Sequence, residues 1–357
     1  MISRLATMIL LFGGFMPHSN DYVLRHAGLA EYQMGHYQKA EGLIRTALKL
    51  AEASNNKYDA ALCYAALGDI RQAEMQFPEA SRYYRRAISL LGQHREYSHA
   101  LAILWRNLAG SLTAETQHGE ALAALKKASK LVAQNNVKDP QLDAQILNSL
   151  GMIHYYQGKM AKAEGFLHKA AELHFTTTNR LDVDLFEILN NIGRVYQNTR
   201  QYAKAEDAYR RSLQLAEARL GSSHPSLNVI LDNLGSLYSE VGRYQEAELL
   251  FQRSLALLEQ AEPSFDDIFV MRTLYGLGDT YIREGDGIRA QGVLVRAAEI
   301  ACRRVLPGEM PEALSVLNLY DKALKNSSNS AEAQRVQVEA RRIRALMAFT
   351  VPLANAK

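Results

Sequence analysis

Asparagine recurs at a fixed spacing through the middle of the sequence. Asn107, Asn191 and Asn233 share one register, because the intervals between them, 84 and 42 residues, are multiples of 42. Ser149 stands where the intervening member of this row would fall. Asn148 and Asn190 form a shorter row, again 42 residues apart. A residue type that returns at constant spacing indicates a surface built from repeated units.

A carboxamide side chain suits the capture of a polypeptide backbone. It offers one acceptor and two donors, which match the C=O and N–H groups of an extended chain. A row of carboxamides can therefore hold a peptide without demanding a particular sequence of it. Asparagine also caps loops and bonds to neighbouring helices, and this alternative stays open. We predict that the peptide-binding side chains are Asn107, Asn148, Asn190, Asn191 and Asn233.

The elements that position these asparagines are visible as a longer repeat. A small residue is followed by Ala twelve residues later, by a large apolar residue four after that, and by Ala or Ser three further on. The central alanines are separated by 40, 41, 42, 42, 42 and 43 residues. The seven sets are Gly28/Ala40/Ile44/Ala47, Gly68/Ala80/Tyr84/Ala87, Ala109/Ala121/Leu125/Ala128, Gly151/Ala163/Leu167/Ala170, Gly193/Ala205/Tyr209/Ser212, Gly235/Ala247/Phe251/Ser254 and Gly278/Ala290/Leu294/Ala297.

Each unit carries two apolar stripes at helical spacing, which predicts two amphipathic helices per repeat. Glycine stands where the first helix should stop, at Gly35, Gly158, Gly242 and Gly285. We expect the glycine of the first helix and the alanine of the second to be small because the two backbones approach closely there. The large residue should fill the gap to the neighbouring pair. A lone pair cannot bury both stripes, so stability must come from stacking.

The strongest motifs resemble tetratricopeptide repeats of the kinesin light chain type. The resemblance rests on "NNIGRVYQNTRQYAKAEDAYRRSLQLAEARLGSSHPS" and "DNLGSLYSEVGRYQEAELLFQRSL". It covers about Asp21 to Leu306, although the second and third repeats carry Met75 and Thr116 in place of the turn glycine. Beyond it, Glu312–Lys325 and Ser330–Ala348 are predicted to form two further helices, the last of them richly charged as a terminal cap should be.

This resemblance implies an all-α, right-handed superhelical solenoid of antiparallel helix pairs whose first helices line a concave groove. Related superhelical proteins hold peptides there with an asparagine ladder. The residues one and four positions after the small residue should also face the groove. They include Met152, Arg194, Ser236 and Asp279, then Tyr155, Gln197, Ser239 and Ile282. Because this lining is mixed rather than densely basic, we expect a partner with an extended, mostly neutral segment.

The domain organisation predicted from these patterns has four parts. Residues 1–20 form a signal peptide or an N-terminal cap, because one positive charge precedes an apolar run from Leu5 to Met16. Export is slightly favoured, although no clear cleavage site follows. Residues 21–306 hold seven repeats, residues 307–348 form a degenerate repeat or cap, and residues 349–357 form a tail.

Composition and motifs argue against several classes of function. The formal net charge of +3 is too small to predict a nucleic-acid partner. No run reaches the roughly 18 to 20 apolar residues of a membrane span. Cys63 and Cys302 lie in distant repeats, and no histidine pair has metal-ligand spacing, so we expect no cofactor and no metal. No phosphate loop, nucleophile elbow or pair of catalytic carboxylates appears, which predicts that the protein is not an enzyme.

The sequence therefore predicts a bacterial, non-catalytic interaction scaffold that binds an extended peptide or partner protein in its concave groove. The alternative is a regulatory receptor for a signalling peptide, with a superhelix that changes shape on binding. Neither the identity of the partner nor the oligomeric state follows from these patterns, since repeat architectures serve many roles.

Overall fold

The computed structural model describes residues 20–92, 94–134, 139–177, 183–260, 267–303, 310–325 and 330–350. Within them the fold is all-α. Residues 1–19, which carry almost all of the predicted signal or cap, lie outside the described residues. Within the described ranges, no helix combines the length and the apolar character that a bilayer-spanning segment requires.

The described helices follow one another as antiparallel pairs. The first helices of the pairs are α1 (Asn20–Gln33), α3 (Lys57–Ala73), α5 (Ser98–Ala114), α7 (Pro140–Tyr156), α9 (Val183–Asn198), α11 (Asn228–Glu240), α13 (Asp267–Glu284) and α15 (Met310–Leu324). The second helices are α2 (Tyr37–Ala53), α4 (Phe77–Leu91), α6 (His118–Gln134), α8 (Met160–Thr177), α10 (Tyr202–Leu220), α12 (Tyr244–Gln260), α14 (Gly287–Arg303) and α16 (Ser330–Thr350). The seven predicted repeats correspond to α1–α14.

The turns between paired helices share one left-handed residue. Gly35, Gly158, Gly242 and Gly285 have φ between 72° and 91°, as their positions in the sequence predicted. Where glycine is missing, Met75, Thr116 and Arg200 adopt φ of 57°, 60° and 59°. The following amide still bonds back to the end of the first helix, for example from Gln76 N to Arg71 O at 2.8 Å. The turn is thus kept at a conformational cost of about 1–2 kcal/mol for each non-glycine residue.

At the glycine positions, the small residue of the first helix meets both the backbone and a large side chain of the second helix. The large side chain of the second helix lies directly over it: a Cβ atom added at Gly193 would stand 2.6 Å from the ring of Tyr209. The same relation holds for Gly68 with Tyr84 and for Gly151 with Leu167. The predicted close approach of the two backbones is also present, because a Cβ atom at Gly28 would stand 3.2 Å from the backbone oxygen of Ala40. The sequence did not predict that a fully buried side chain would share the contact.

We expect Gly193→Ala to destabilise the fold by about 1–3 kcal/mol, because Tyr209 is completely buried and has no room to move away. Gly165→Ala is the matched control, since nothing lies within 4 Å of a Cβ atom at that exposed helical position. The control should be neutral or stabilising by up to about 1 kcal/mol. Urea denaturation followed by circular dichroism measures both, and equal stability of the two variants would contradict the packing described.

The stack curves so that the first helices lie on its inner side. Each first helix from α1 to α13 contacts the first helix of the next pair directly. In a curved array the inner layer is the one whose members lie closest together. Polar links also join the second helix of one pair to the first helix of the next: Tyr238 donates to Glu206 at 2.9 Å and Tyr281 to Glu248 at 2.8 Å. These tyrosines and glutamates recur in the same repeat positions, so the sequence encodes the link in register.

Candidate functional site

The inner surface of the later pairs forms a concave groove with a volume of about 600 Å³. Five successive first helices and one side chain from a second helix, Phe251, line it. The groove residues are Tyr156 from α7; Arg194 and Gln197 from α9; Asn228, Val229, Asp232, Asn233, Ser236, Ser239 and Glu240 from α11; Phe251 from α12; Phe269, Arg272, Tyr275, Gly276, Asp279 and Arg283 from α13; and Glu312 from α15.

Several side chains predicted to face a groove do line this one. Arg194, Ser236 and Asp279 follow the small residue directly, and Gln197 and Ser239 follow it by four. They share a face because residues three or four apart on a helix point the same way. Met152, Tyr155 and Ile282, predicted by the same rule, are not among the groove residues.

Four of the predicted asparagines form bonds between neighbouring first helices. Asn191 Nδ2 donates to Asn148 Oδ1 at 3.0 Å, and Asn233 Nδ2 donates to Asn190 Oδ1 at 2.9 Å. These contacts join α9 to α7 and α11 to α9. The alternative kept open in the sequence, that asparagines bond between adjacent helices, therefore describes the arrangement in the structure. Each bond uses one N–H of the first asparagine and the oxygen of the second. The first asparagine therefore keeps its own oxygen and one N–H, and the second keeps both of its N–H groups.

The fifth asparagine, Asn107, bonds to a buried carboxylate instead. Its Nδ2 donates to Asp69 Oδ1 at 3.1 Å, and the Tyr84 hydroxyl donates to the same oxygen at 2.7 Å. Burial raises the pKa of Asp69 to about 6, against the lowering effect of these two donors. Of the five predicted asparagines, only Asn233 is a groove residue.

Most charges in the groove are paired within the protein. Arg272 holds Glu312 through two bonds, of 3.0 and 2.5 Å, and so links α13 to α15. Arg283 Nε donates to Asp279 Oδ2 at 2.6 Å. The Glu240 carboxylate accepts from Gln197 at 3.0 Å and from the Tyr202 hydroxyl at 2.9 Å. Two ion pairs thus neutralise four of the seven charged side chains that line the described groove, whereas Glu240 is bonded to neutral donors.

Asp232 is held where water reaches it poorly. Its Oδ2 atom accepts from the Thr273 hydroxyl at 2.7 Å, whereas its buried Oδ1 atom has no partner. Burial raises the pKa of this carboxyl to about 6, although Thr273, Ser254 and Arg272 act to lower it. The hydroxyl of Ser239 is likewise buried without a partner. Two polar groups of the groove therefore keep unused bonding capacity.

Arg194 is the groove arginine that has no carboxylate partner within the described part of the chain. Its Nη2 atom donates to the Tyr156 hydroxyl at a long 3.4 Å. The guanidinium carbon lies 4.8 Å from the ring centre of Tyr155 and 5.6 Å from that of Tyr156. Such contacts hold a guanidinium plane in place while leaving most of its five N–H donors available. The sequence placed Arg194 in the groove but did not show that it would stand apart from the acidic residues.

Family models identify part of the repeat array. One model described as tetratricopeptide repeat matches residues 184–260, and another with the same description matches residues 144–174. Regulatory protein RapG of Bacillus subtilis (strain 168) is 23% identical over 151 residues, which are 42% of this chain. The alignment spans 41% of RapG, well under two thirds of that relative's length.

Solved structures share the fold over longer stretches. A Rap protein complexed with Competence and Sporulation Factor superposes with a TM-score of 0.66 at 13% identity, over 97% of this chain and 92% of that one. RapI in its apo form gives 0.60 at 16% identity, over 78% and 97% of the two chains. BtubC (BKLC) from P. vanneervenii gives 0.52 at 22% identity, over 64% and 90%. At these identities the likeness establishes the fold alone.

Proposed function

We propose that this chain, which contains tetratricopeptide repeats, is a non-catalytic interaction protein that holds an extended peptide or a peptide segment of a partner in the groove. One observation carries the proposal: first helices from five successive pairs form one continuous, polar, concave surface. A surface of that kind suits an extended chain better than a compact small molecule, because contacts are spread over many repeats.

The groove combines apolar contact with backbone-type hydrogen bonding. Tyr156 and Val229 are 51% and 44% exposed there and give a ligand apolar surface to cover. Asn233, Ser236 and Ser239 supply donors and acceptors close by. Peptide-binding surfaces commonly combine hydrogen bonds to the peptide main chain with apolar contacts to its side chains. Because most groove charges are already paired, a mostly neutral peptide backbone fits this surface well.

Regulation through the same groove is the second candidate function. Its support is the likeness to RapG, a regulatory protein, and to a Rap protein complexed with Competence and Sporulation Factor. In this version, peptide binding changes the curvature of the stack. Small-angle scattering with and without a bound peptide distinguishes the two: a changed radius of gyration supports regulation, and an unchanged one supports a rigid scaffold.

The asparagines take two roles in this proposal. Asn107, Asn148, Asn190 and Asn191 hold first helices in register through their interhelical bonds. Asn233 contacts the peptide directly because it lines the groove, and it also donates to Asn190. We expect Asn233→Ala to weaken peptide binding more than Asn107→Ala does, although each substitution removes one interhelical bond.

Blocking the groove tests the function without touching these bonds. Ser236 is exposed on α11 in the groove, and Ser236→Trp should fill the space and lower the retention of peptides by at least about tenfold. The measurement is affinity selection of randomised synthetic decapeptides on the immobilised full chain, with bound peptides identified by mass spectrometry.

Gln245→Trp is the control variant, because Gln245 is exposed on the second helix α12 and lies outside the groove. It should retain the same peptides as the wild type, with the same circular dichroism spectrum. If Ser236→Trp retained peptides as well as Gln245→Trp does, binding in the groove would be refuted and the outer surface would have to be considered.

A further inference from the structure

The unpaired arginine of the groove gives its ligand a chemical requirement. Three arginines line the groove, and two of them, Arg272 and Arg283, are neutralised by Glu312 and Asp279. Among the residues that the structure describes, the third, Arg194, contacts aromatic rings and one tyrosine hydroxyl and no carboxylate. A partly desolvated guanidinium without an anion is less stable than one with an anion, and it attracts a negative group strongly.

We propose that Arg194 binds a carboxylate of the peptide and thereby fixes its position and direction in the groove. This inference rests on the proposed function. The two tyrosines hold the guanidinium in place, so little side-chain freedom is lost when two parallel N–H···O bonds form. The planar fork of an arginine matches the two oxygens of a carboxylate, which is the geometry that a lysine cannot supply.

A singly charged group fits this position better than a doubly charged one. The groove already contains four carboxylates, those of Asp232, Glu240, Asp279 and Glu312. One cation without a partner balances one negative charge, whereas a phosphate would bring up to one further charge into this acidic surrounding. The carboxylate can come from the peptide's C-terminus or from an Asp or Glu side chain.

Four pools of synthetic decapeptides test the inference on the full chain. The first pool has a free C-terminus and no Asp or Glu; the second is amidated and carries one Glu. The third has both features, and the fourth, amidated and without acidic residues, has neither. We expect the wild type to retain the third pool and either the first or the second, which identifies the source of the carboxylate. It should retain the fourth at least about tenfold less.

Variants at the two kinds of arginine make the test specific. Arg194→Gln should abolish the preference for carboxylate-containing pools, and Arg194→Lys should keep part of it. Arg85→Gln is the matched control, because it removes an exposed arginine that is paired with Glu120 on the second helices and lies outside the groove. It should keep the preference of the wild type. Circular dichroism confirms that each variant is folded.

The possible failures are distinguishable. If the wild type retains all four pools equally, or if Arg194→Gln keeps the preference, the role of Arg194 is overturned while peptide binding stands. If the wild type retains no pool, both the proposed function and the carboxylate site are contradicted.

Discussion

Phe251→Ala should destabilise the protein by about 3–5 kcal/mol and divide its unfolding into two transitions. The Phe251 ring is 1% exposed and lies between two pairs of the stack. A Cβ atom added at Gly235 in its own pair would stand 3.0 Å from the ring, and one added at Gly276 in the next pair would stand 2.5 Å from it. Removing the ring therefore opens a cavity at an interface between repeats.

The two transitions follow from the way a solenoid is stabilised. Among the described residues, each pair makes most of its helix contacts with its neighbours, so the coupling between the earlier pairs and α13–α16 depends mainly on this interface. Once the coupling is weakened, the later helices should unfold at lower urea concentration than the rest. Circular dichroism as a function of urea concentration counts the transitions. Hydrogen exchange, resolved by peptide segment, shows which helices unfold in each.

Leu249→Ala is the control for this prediction. Leu249 lies on the same helix as Phe251 but is 66% exposed, so its removal should change the stability by less than about 0.5 kcal/mol. A single cooperative transition for Phe251→Ala, at a stability within about 1 kcal/mol of the wild type, would show that the ring does not couple the two pairs.

Asp232→Asn should remove a pH dependence of stability that the wild type shows between about pH 4 and pH 7. Burial raises the pKa of Asp232 from 3.8 to about 6, so the folded state binds this proton more tightly than the unfolded state does. Its contribution to stability is complete below pH 3.8 and is lost as the pH rises through 6. A pKa of about 6 in place of 3.8 corresponds to a loss of roughly 3 kcal/mol in the free energy of unfolding between low pH and neutral pH.

The asparagine side chain keeps an oxygen for the Thr273 hydroxyl but does not ionise. Relative to the wild type, the variant should therefore gain about 1–3 kcal/mol between pH 4 and pH 7. The free energy of unfolding, measured in urea at several pH values, gives this difference directly. The contribution of Asp69 is the same in both proteins and cancels in the comparison.

Asp207→Asn serves as the control, because the Asp207 side chain is 69% exposed on the outer helix α10. Its stability relative to the wild type should vary with pH by no more than about 0.5 kcal/mol. If the stability of Asp232→Asn relative to the wild type also stayed nearly constant with pH, Asp232 would be hydrated in solution, with its unpartnered oxygen bonded to water.

The repeat architecture was predictable because it depends on residues close together in the chain. Helical periodicity, the turn residues Gly35 and Gly158, and the paired small and large positions such as Gly193 and Tyr209 all act within one unit of about 42 residues. Repetition then multiplied each weak local signal seven times. Even the tyrosine-to-glutamate links between pairs could have been found this way, since Tyr238 and Tyr281 occupy equivalent positions, as do Glu206 and Glu248.

The detailed chemistry of the groove depended on how the pairs stack. A carboxamide bonds equally well to a peptide or to a neighbouring helix, so spacing alone could not decide that Asn191 meets Asn148. Which arginines are neutralised depends on contacts such as that of Arg272 with Glu312, 40 residues away on another helix. The sequence holds the charges but not the angle between successive pairs. That angle brings Arg272 and Glu312 together and leaves Arg194 without an acidic partner among the described residues, and it arises only when all the interfaces pack at once.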